Sequence, residues 1–298
     1  MIKHNIAIIG AGKLAHSLTS ALIKSGYNVQ IIISRKLSSA KSLAKIFSIS
    51  QYSNSIKKIP SEVDAFLLTV SDGEIKKLAD SLSKLKRDFT NCICIHFSGV
   101  ENISALNSLM IKGCATGSLH IIRPFTSKNV VEVKNSHASI ESEDNRSKLF
   151  LAQLCMKLKL KSHIISSDEK VFHHLAAVYS SNFLVGNIFN SFSLISSKSN
   201  TPKNILRQTT QSAIDNVFNL SPAKALSGPI DRGDIYTIKK HLDAFDAEIR
   251  KTKSSQIKLL RKNYIIQSLS LLNVVKAKYG KLDKKHSAIK KYLEGSLK

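Results

Sequence analysis

Tryptophan is absent from this chain of 298 residues, which also has only five prolines and four cysteines. So few cysteines exclude a disulfide-stabilised scaffold. Cys92 and Cys94 share one face of a strand-like segment, and we expect them to be buried apolar side chains. No apolar run approaches the roughly 18 residues that a membrane-spanning helix needs. The first apolar segment is too short for a signal peptide, so we expect a cytoplasmic protein without a membrane partner.

Acidic residues are also scarce, at 21 against 45 lysines and arginines, which gives a net charge of +24. A charge of this size suggests nucleic acid as a partner. However, only 8 of the basic residues are arginine, the lysines are scattered, and no basic segment is interleaved with aromatic residues for base stacking. The composition therefore predicts weak, salt-sensitive attraction to polyanions and no specific nucleic-acid partner.

The first half of the chain alternates short apolar runs with helical patterns. The run Asn5–Ile9 is followed by a helical pattern over Lys13–Lys24 and by a β-branched run over 29–33. This alternation is typical of an α/β fold, a doubly wound parallel Rossmann sheet. We therefore predict a Rossmann domain over residues 1–165 and an all-helical domain over residues 166–298. The helical segments of the second domain are predicted at 168–197, 202–219, 221–226, 234–250, 254–279 and 284–293.

The strongest motif is Gly10-Ala11-Gly12-Lys13-Leu14-Ala15, a G-x-G-x-x-A pattern between a predicted strand and a predicted helix. This is the context that the dinucleotide-binding fingerprint requires. Gly10 permits the tight turn, Gly12 lets the backbone approach a pyrophosphate, and Ala15 allows close packing of helix on strand. The free N–H groups of the helix N-terminus then favour the phosphates. A tight turn without a ligand is the alternative.

The end of the second strand is predicted to select the cofactor. NAD-binding sites usually place an acidic residue there for the ribose hydroxyl, whereas this chain has Ser34, Arg35 and Lys36. A guanidinium and a hydroxyl suit a 2′-phosphate. The sequence therefore predicts NADP(H) over NAD(H); in the alternative interpretation Arg35 and Lys36 are solvated surface charges.

Two later turns should lie at the same edge of the sheet, because ligands of open α/β sheets bind beyond the carboxyl ends of the strands. We expect Thr69, Val70 and Ser71 to line the adenosine side, and Ser98 to lie near the nicotinamide ring. Asp72 is interpreted mainly as a helix cap.

Blocks along nearly the whole chain resemble the bacterial two-domain Rossmann-like proteins described as NADP oxidoreductases of the deazaflavin-dependent type, which have an uncharacterised helical C-terminal domain. The resemblance implies a fold akin to pyrroline-carboxylate reductase and 6-phosphogluconate dehydrogenase, NADP binding, and a homodimer formed through the helical domain. It implies no substrate. The blocks that carry it are Gly10–Ala15, Ser34-Arg35, Thr69-Val70-Ser71-Asp72, His96-Phe97-Ser98-Gly99, Gly117-Ser118-Leu119-His120, His173-His174-Leu175-Ala176-Ala177, Ser181-Asn182 and Ala225–Asp234.

One departure concerns the β-hydroxyacid dehydrogenases, which place a lysine and an asparagine one turn apart on the long helix that starts the second domain. Asn182 fits the asparagine, but Val178 stands where the lysine would be. The resemblance therefore does not carry over the hydroxyacid chemistry.

Histidine is the usual proton carrier near neutral pH, and four histidines are candidates. His120 and His174 are predicted catalytic residues together with Asn182, and His96 and His173 are predicted substrate contacts. At helical spacing, His174 shares a stripe with Asn182, which we favour, while His173 lies on the neighbouring stripe. The alternative for each is a histidine satisfied within the core. Tyr179 is a further candidate proton donor or a core aromatic.

Arg123 and Arg232 are predicted substrate contacts, because a guanidinium can clamp a carboxylate or phosphate. Arg232 lies in a predicted loop ending in Asp234, a predicted helix cap, and a surface arginine is the equal alternative. No histidine pair has the ligand spacing typical of zinc, so no metal is predicted.

The sequence thus predicts an NADP(H)-binding oxidoreductase that transfers a hydride to or from an unidentified small molecule in the cleft between the two domains. The alternative is a non-catalytic NADP-binding sensor or regulatory protein, which the missing lysine favours.

Overall fold

A computed structural model describes residues 4–196 and 204–297. Eight strands form one sheet in the order β3-β2-β1-β4-β5-β6-β7-β8, with helices packed against it. This is the predicted Rossmann-like architecture, followed by a helical C-terminal region. The strands are β1 Asn5–Ile9, β2 Asn28–Ile33, β3 Gln51–Ser53, β4 Ala65–Leu68, β5 Ile93–His96, β6 Ala115–Ile121, β7 His137–Glu141 and β8 Lys161–Ile164.

The helices of the sheet region alternate with its strands, as the sequence predicts. They are α1 Lys13–Lys24, α2 Leu37–Ile46, α3 Asp72–Leu82, α4 Asn107–Met110, α5 Asn145–Lys157 and α6 Ser167–Ala177. The later helices are α7 Phe183–Ser196, α8 Ile205–Leu220, α9 Pro222–Ala225, α10 Ile235–Thr252, α11 Ser255–Tyr279 and α12 Lys284–Ser296. Two predicted helices extend outside the described residues, at Ser197 and at 202–203.

The two faces of the sheet hold separate apolar cores. Successive residues of a strand point to opposite faces. Ile8 of β1 therefore packs with Leu18 of α1, and Ile9 packs with Ile75 of α3. Cys92 and Cys94 lie in the second core, buried as predicted, and Cys114 and Cys155 are buried as well. Because both faces are covered there, the central strand Ala65–Leu68 is apolar and buried along its whole length.

The predicted parallel sheet contains one antiparallel pairing. Strand β7 runs antiparallel to β6, and β8 is parallel to β7. The reason lies in the connection, residues 122–136, all described and containing no helix. A parallel neighbour would need a crossover, usually a helix, whereas a loop suffices for an antiparallel one. The reversal places Glu141, at the end of β7, directly beside Ser118 of β6.

A long helical segment leaves the sheet after β8. Its N-cap is Ser166, and Glu169 completes a capping box with it. The segment does not keep the α-helical pitch, because residues Val178–Asn182 form a π-helix between α6 and α7.

The described chain divides into two compact units, one ending at Phe183 and the other beginning at Leu184. The predicted domain boundary at 165/166 lies earlier, at the start of α6, and stays a prediction. The described residues of the second unit, 184–196 and 204–297, contain helices and no strand, and Ile238, Ile265 and Ile289 form the centre of their core. In the described parts of the chain, no helix is both long and apolar enough to cross a membrane.

Candidate functional site

The first glycine of the fingerprint joins the ends of three strands. Gly10 has φ +120°, a conformation that side chains disfavour. A Cβ there would lie 2.5 Å from the Thr69 carbonyl oxygen, so the turn has no room for alanine. The Gly10 N–H donates to the Ile33 carbonyl at 2.8 Å, and the Thr69 hydroxyl donates to the Gly10 carbonyl at 3.1 Å. Strands β1, β2 and β4 thus meet at this turn, as the motif predicts.

Helix α1 starts at this turn, and its N-cap Gly12 lines a cavity of about 580 Å³. Gly12 has no side chain to cap the helix, and the first turn of α1 has no acidic residue. A Cβ on Gly12 would meet only the Thr69 carbonyl oxygen, at 3.8 Å, so the backbone is open to a close approach. Ala15, in the first turn of α1, is fully buried. This arrangement fits a dinucleotide pyrophosphate.

Most of the predicted cofactor residues line this cavity. Four are placed elsewhere: Lys13 is exposed, Leu14 and Ala15 pack into the core, and Ser98 belongs to the histidine site described below. The predicted residues that line the cavity are Gly10, Ala11, Gly12, Ser34, Arg35, Lys36, Thr69, Val70 and Ser71. Asp72 is the first residue of α3, whose N-cap is Ser71, so the interpretation of Asp72 as the cap was wrong.

A carboxylate that the sequence analysis missed also lines the cavity. Glu74 of α3 contacts Arg35, at 3.3 Å between Nη1 and Oε2, and Lys77, at 3.5 Å. The Arg35 side chain is 84% exposed. The predicted 2′-phosphate region therefore combines Arg35, Lys36 and Lys77 with one negative charge.

Two of the predicted catalytic histidines come together at the carboxyl edge of the sheet. The rings of His120, on β6, and His174, on α6, have centroids 5.7 Å apart in an edge-on arrangement. Gly99 lies against both: a Cβ there would be 2.5 Å from His174 Nδ1 and 2.9 Å from His120 Nε2. His174 Nδ1 is buried and has no hydrogen-bond partner among the residues that the structure describes. The three blocks singled out in the sequence thus meet at one place.

The electrostatics of this place keep His120 neutral. Burial is the largest cause that lowers the pKa of His120 to about 4, followed by the neighbouring His174 and the charge of Lys170. Asp72 opposes the shift, and His173 adds to it weakly. A neutral imidazole donates through one ring nitrogen and accepts through the other.

His96 lies deeper, at the end of β5. It is fully buried, and burial, assisted by the charge of Lys170, lowers its pKa to about 3. Its Nδ1 accepts the Ser98 N–H at 3.3 Å, and the Ser98 hydroxyl accepts the N–H groups of Val100 and Glu101 at 3.0 and 2.9 Å. His96 and Ser98 therefore build the turn that carries Gly99.

The other histidine of the pair on α6 points elsewhere. His173 lies against His163 of β8, with ring centroids 5.5 Å apart. Asn182, expected on the stripe of His174, lies at the end of the π-helix and is exposed, where it accepts the Ser181 hydroxyl at 2.9 Å. A π-turn closes over one more residue than an α-turn. Residues beyond it are therefore rotated from the stripe that α-helical spacing predicts.

The remaining predicted contacts lie on different elements of the chain. Arg123 is exposed just after β6, and Arg232 is exposed in a loop of the second unit. In that loop Asp231 pairs with Lys278 at 2.9 Å. Asp234 caps α10 by accepting the Thr237 N–H at 3.1 Å, as predicted. Tyr179 is exposed within the π-helix. The substrate-binding roles of Arg123, Arg232 and Asn182 stay predictions.

A buried charge cluster that the sequence did not predict lies beside the histidines. Lys170 is 1% exposed and donates to the Ser118 hydroxyl and to Glu141, the latter at 2.8 Å. Burial lowers the pKa of Lys170, and Glu141 opposes that shift. A single lysine among polar helix residues gives no sequence signal for burial. Within residues 4–196 and 204–297, no three His, Cys, Asp or Glu side chains are grouped as metal ligands.

Comparison with known families gives two matches. Residues 5–90 match a family described as NADP oxidoreductase coenzyme F420-dependent. Residues 136–256 match a domain of unknown function, DUF2520. The chain is thus similar to an NADP oxidoreductase in its first part and to an uncharacterised domain in its second, which supports the general family that the sequence resembles. No curated protein matches.

Solved structures with the same fold cover most of the chain. A candidate NADP oxidoreductase from Bacteroides fragilis is 22% identical, with a TM-score of 0.72 over 88% of this chain and 97% of that one. A Thermotoga maritima protein is 20% identical, with a TM-score of 0.66 over 92% and 99%. A pyrroline-5-carboxylate reductase from Coxiella burnetii is 14% identical, with a TM-score of 0.55 over 88% and 97%. At these identities the likeness establishes the fold.

Proposed function

We propose that this protein is an NADP(H)-dependent oxidoreductase that transfers a hydride to or from a small molecule. The observation that carries the proposal is the Gly10–Gly12 turn, which begins α1 without a side-chain cap and lines a cavity together with Arg35. The family match over residues 5–90 supports it. The expectation that the substrate binds in a cleft between two domains stays a prediction.

When bound, the nicotinamide ring supplies or accepts the hydride. The chain must then hold the substrate and move one proton. His120, neutral because burial lowers its pKa to about 4, is suited to take a proton from a hydroxyl or amine as the adjacent carbon loses a hydride. The reverse reaction returns that proton to the oxygen or nitrogen of a carbonyl or imine. His174 contacts His120 and orients its ring.

The cofactor preference rests on Arg35 and Lys36. Both line the cavity at the end of β2, where a ribose 2′-phosphate would carry two negative charges. One charge-assisted contact contributes roughly 1.5 kcal/mol at such an exposed position, which corresponds to about tenfold. NADPH is therefore preferred over NADH.

The test is a calorimetric titration of NADPH and NADH against the wild type, Arg35→Ala and Lys41→Ala. Lys41 is an exposed lysine of α2 outside the cavity lining, so its variant controls for the loss of one positive charge. We expect tighter binding of NADPH by the wild type and about tenfold weaker NADPH binding by Arg35→Ala alone. Equal affinities of the wild type for the two nucleotides would refute the NADP preference.

Turnover separates the enzyme from a sensor. Wild type, His120→Gln and His137→Gln, an exposed control, are assayed for NADPH oxidation with imines, oxo acids and a deazaflavin. If the protein is an enzyme, we expect His120→Gln to lose most of the turnover and His137→Gln to keep it. Tight NADPH binding without oxidation by any of these substrates would instead favour the non-catalytic sensor.

We also propose a homodimer formed through the helical part of the chain. Several large apolar side chains on α7 and α8 are exposed, among them Val185, Phe189 and Phe218. Exposed apolar groups of this kind mark association surfaces. Light scattering of wild type and Phe189→Glu tests this: a dimer that dissociates in the variant supports the proposal, and a monomeric wild type contradicts it.

A further inference from the structure

The buried cluster of Lys170, Glu141 and Ser118 has no place in the proposed hydride chemistry. Lys170 is the only buried residue of α6, all of which the structure describes. Ser118 and Glu141 are 0% and 3% exposed. Burying a lysine and a glutamate costs free energy even when they are paired. A structural purpose alone would be served at least as well by apolar side chains, so the cluster calls for another explanation.

The geometry ties the cluster to the histidine pair. Ser118 and His120 are two residues apart on β6 and share a face of the strand. Lys170 and His174 are four residues apart on α6 and share a face of the helix. Two strand residues span about 6.7 Å and four helix residues about 6 Å, so the two spacings match. The contact of Lys170 with Ser118 and the contact of His174 with His120 are therefore two successive contacts between α6 and β6.

Glu141 extends this link to the turn that carries Gly99. Its Oε2 accepts from Lys170 at 2.8 Å. Its Oε1 accepts the Ser167 hydroxyl at 2.5 Å and the Ile103 N–H at 3.1 Å. Ser167 opens α6, and Ile103 follows the turn beside the histidines. One carboxylate thus connects the start of the helix, the lysine and the segment after β5.

We propose that Lys170 is a positioning residue, which with Glu141 and Ser118 fixes α6 against β6 so that His174 is held against His120. Because Lys170 is 1% exposed, this role is one of positioning and not of contact with a substrate or cofactor. The proposal rests on the proposed function in one respect: that function gives His120 and His174 their chemical role. The charge of Lys170 has a second effect, since it acts on His120 from α6, as do His173 and His174, while Asp72 acts from α3.

The test compares Lys170→Met, the double variant Lys170→Met/Glu141→Gln, and Lys161→Met as a control on the exposed end of β8. Lys170→Met leaves Glu141 buried without its partner and is expected to lower stability. The double variant removes both charges and is expected to recover most of that loss. It therefore separates positioning from stability.

Urea unfolding measures stability. NMR of ¹³C-labelled histidines measures the pKa of His120 and the contact between the His120 and His174 rings, and His120→Gln assigns the His120 signal. In the double variant we expect the contact between the His120 and His174 rings to be lost and the pKa of His120 to rise from about 4 towards 6.5. A folded double variant with an unchanged ring contact and an unchanged His120 pKa would overturn the proposal. If the double variant does not fold, Ser118→Ala, which removes one contact of Lys170, must weaken the ring contact.

These readouts need neither nucleotide nor turnover, so their failure is distinct from a failure of the proposed function. Where turnover is found, the double variant is expected to lose kcat with its KM for NADPH unchanged. A change of KM alone would contradict a positioning role.

Discussion

The buried His96 should make the stability of this protein fall in mild acid. The pKa of His96 is about 3 in the folded chain, against 6.5 for an ordinary histidine. The unfolded chain therefore binds a proton that the folded chain does not, at every pH between these values. The favourable difference is present above pH 6.5 and is lost as the pH falls towards 3.

The size of the effect follows from the two pKa values. Between pH 7 and pH 4.5, pKa values of 6.5 and about 3 give a loss of about 2.5 kcal/mol in the free energy of unfolding from His96 alone. His96→Asn removes this loss, because asparagine does not titrate in the range, and its carbonyl oxygen can accept the Ser98 N–H that His96 now accepts.

Urea unfolding of wild type, His96→Asn and His137→Asn at pH 7 and pH 4.5 measures the difference. The exposed His137 serves as control for the removal of one histidine. We expect His96→Asn to lose about 2.5 kcal/mol less than the other two proteins between these pH values. Equal losses in all three proteins would refute the argument. A histidine signal of His96 that titrates near 6.5 in the folded protein would refute it independently.

Three further perturbations have defined outcomes. Gly10→Ala should lower the free energy of unfolding by about 2 kcal/mol or more and weaken nucleotide binding, because the added Cβ would meet the Thr69 carbonyl. Thermal melts measure the loss of stability, and an unchanged melting temperature would contradict the prediction. Glu74→Gln should strengthen NADPH binding about threefold in calorimetry by freeing Arg35, and weaker binding would refute this. Ser166→Ala should cost about 1 kcal/mol in urea unfolding by removing the capping box, whereas no loss would show that the cap contributes little.

Much of the fold could be predicted, because apolar runs and helical periods are local signals. Strand Asn5–Ile9 and helix Lys13–Lys24 have the predicted bounds. The short strand Gln51–Ser53 was missed, since only β2 pairs with it and it has no apolar pattern. The reversed direction of β7 was also missed, although the chain before it contains no helical pattern.

The site was predictable only where a motif fixes the backbone. The glycine turn lies where its pattern indicates, because G-x-G-x-x-A specifies a local geometry. The pairing of His120 with His174 depends on how α6 lies along β6, which no local pattern encodes. The position of Asn182 depends on a π-turn, and a helical wheel assumes a constant pitch. Lys170 was missed because burial of a charge is decided by its partners.

The glycine that opens α1 has a consequence for the lifetime of the protein. A helix that starts on Gly12 has no side-chain cap, so a bound nucleotide that fills this place would link binding to folding. At a free nucleotide concentration one hundred times the dissociation constant, the native state gains about 2.7 kcal/mol. The unfolded population, and with it the rate of proteolysis, then falls about a hundredfold. Starved of nucleotide, the chain would be degraded faster, so its abundance follows the supply of its own ligand.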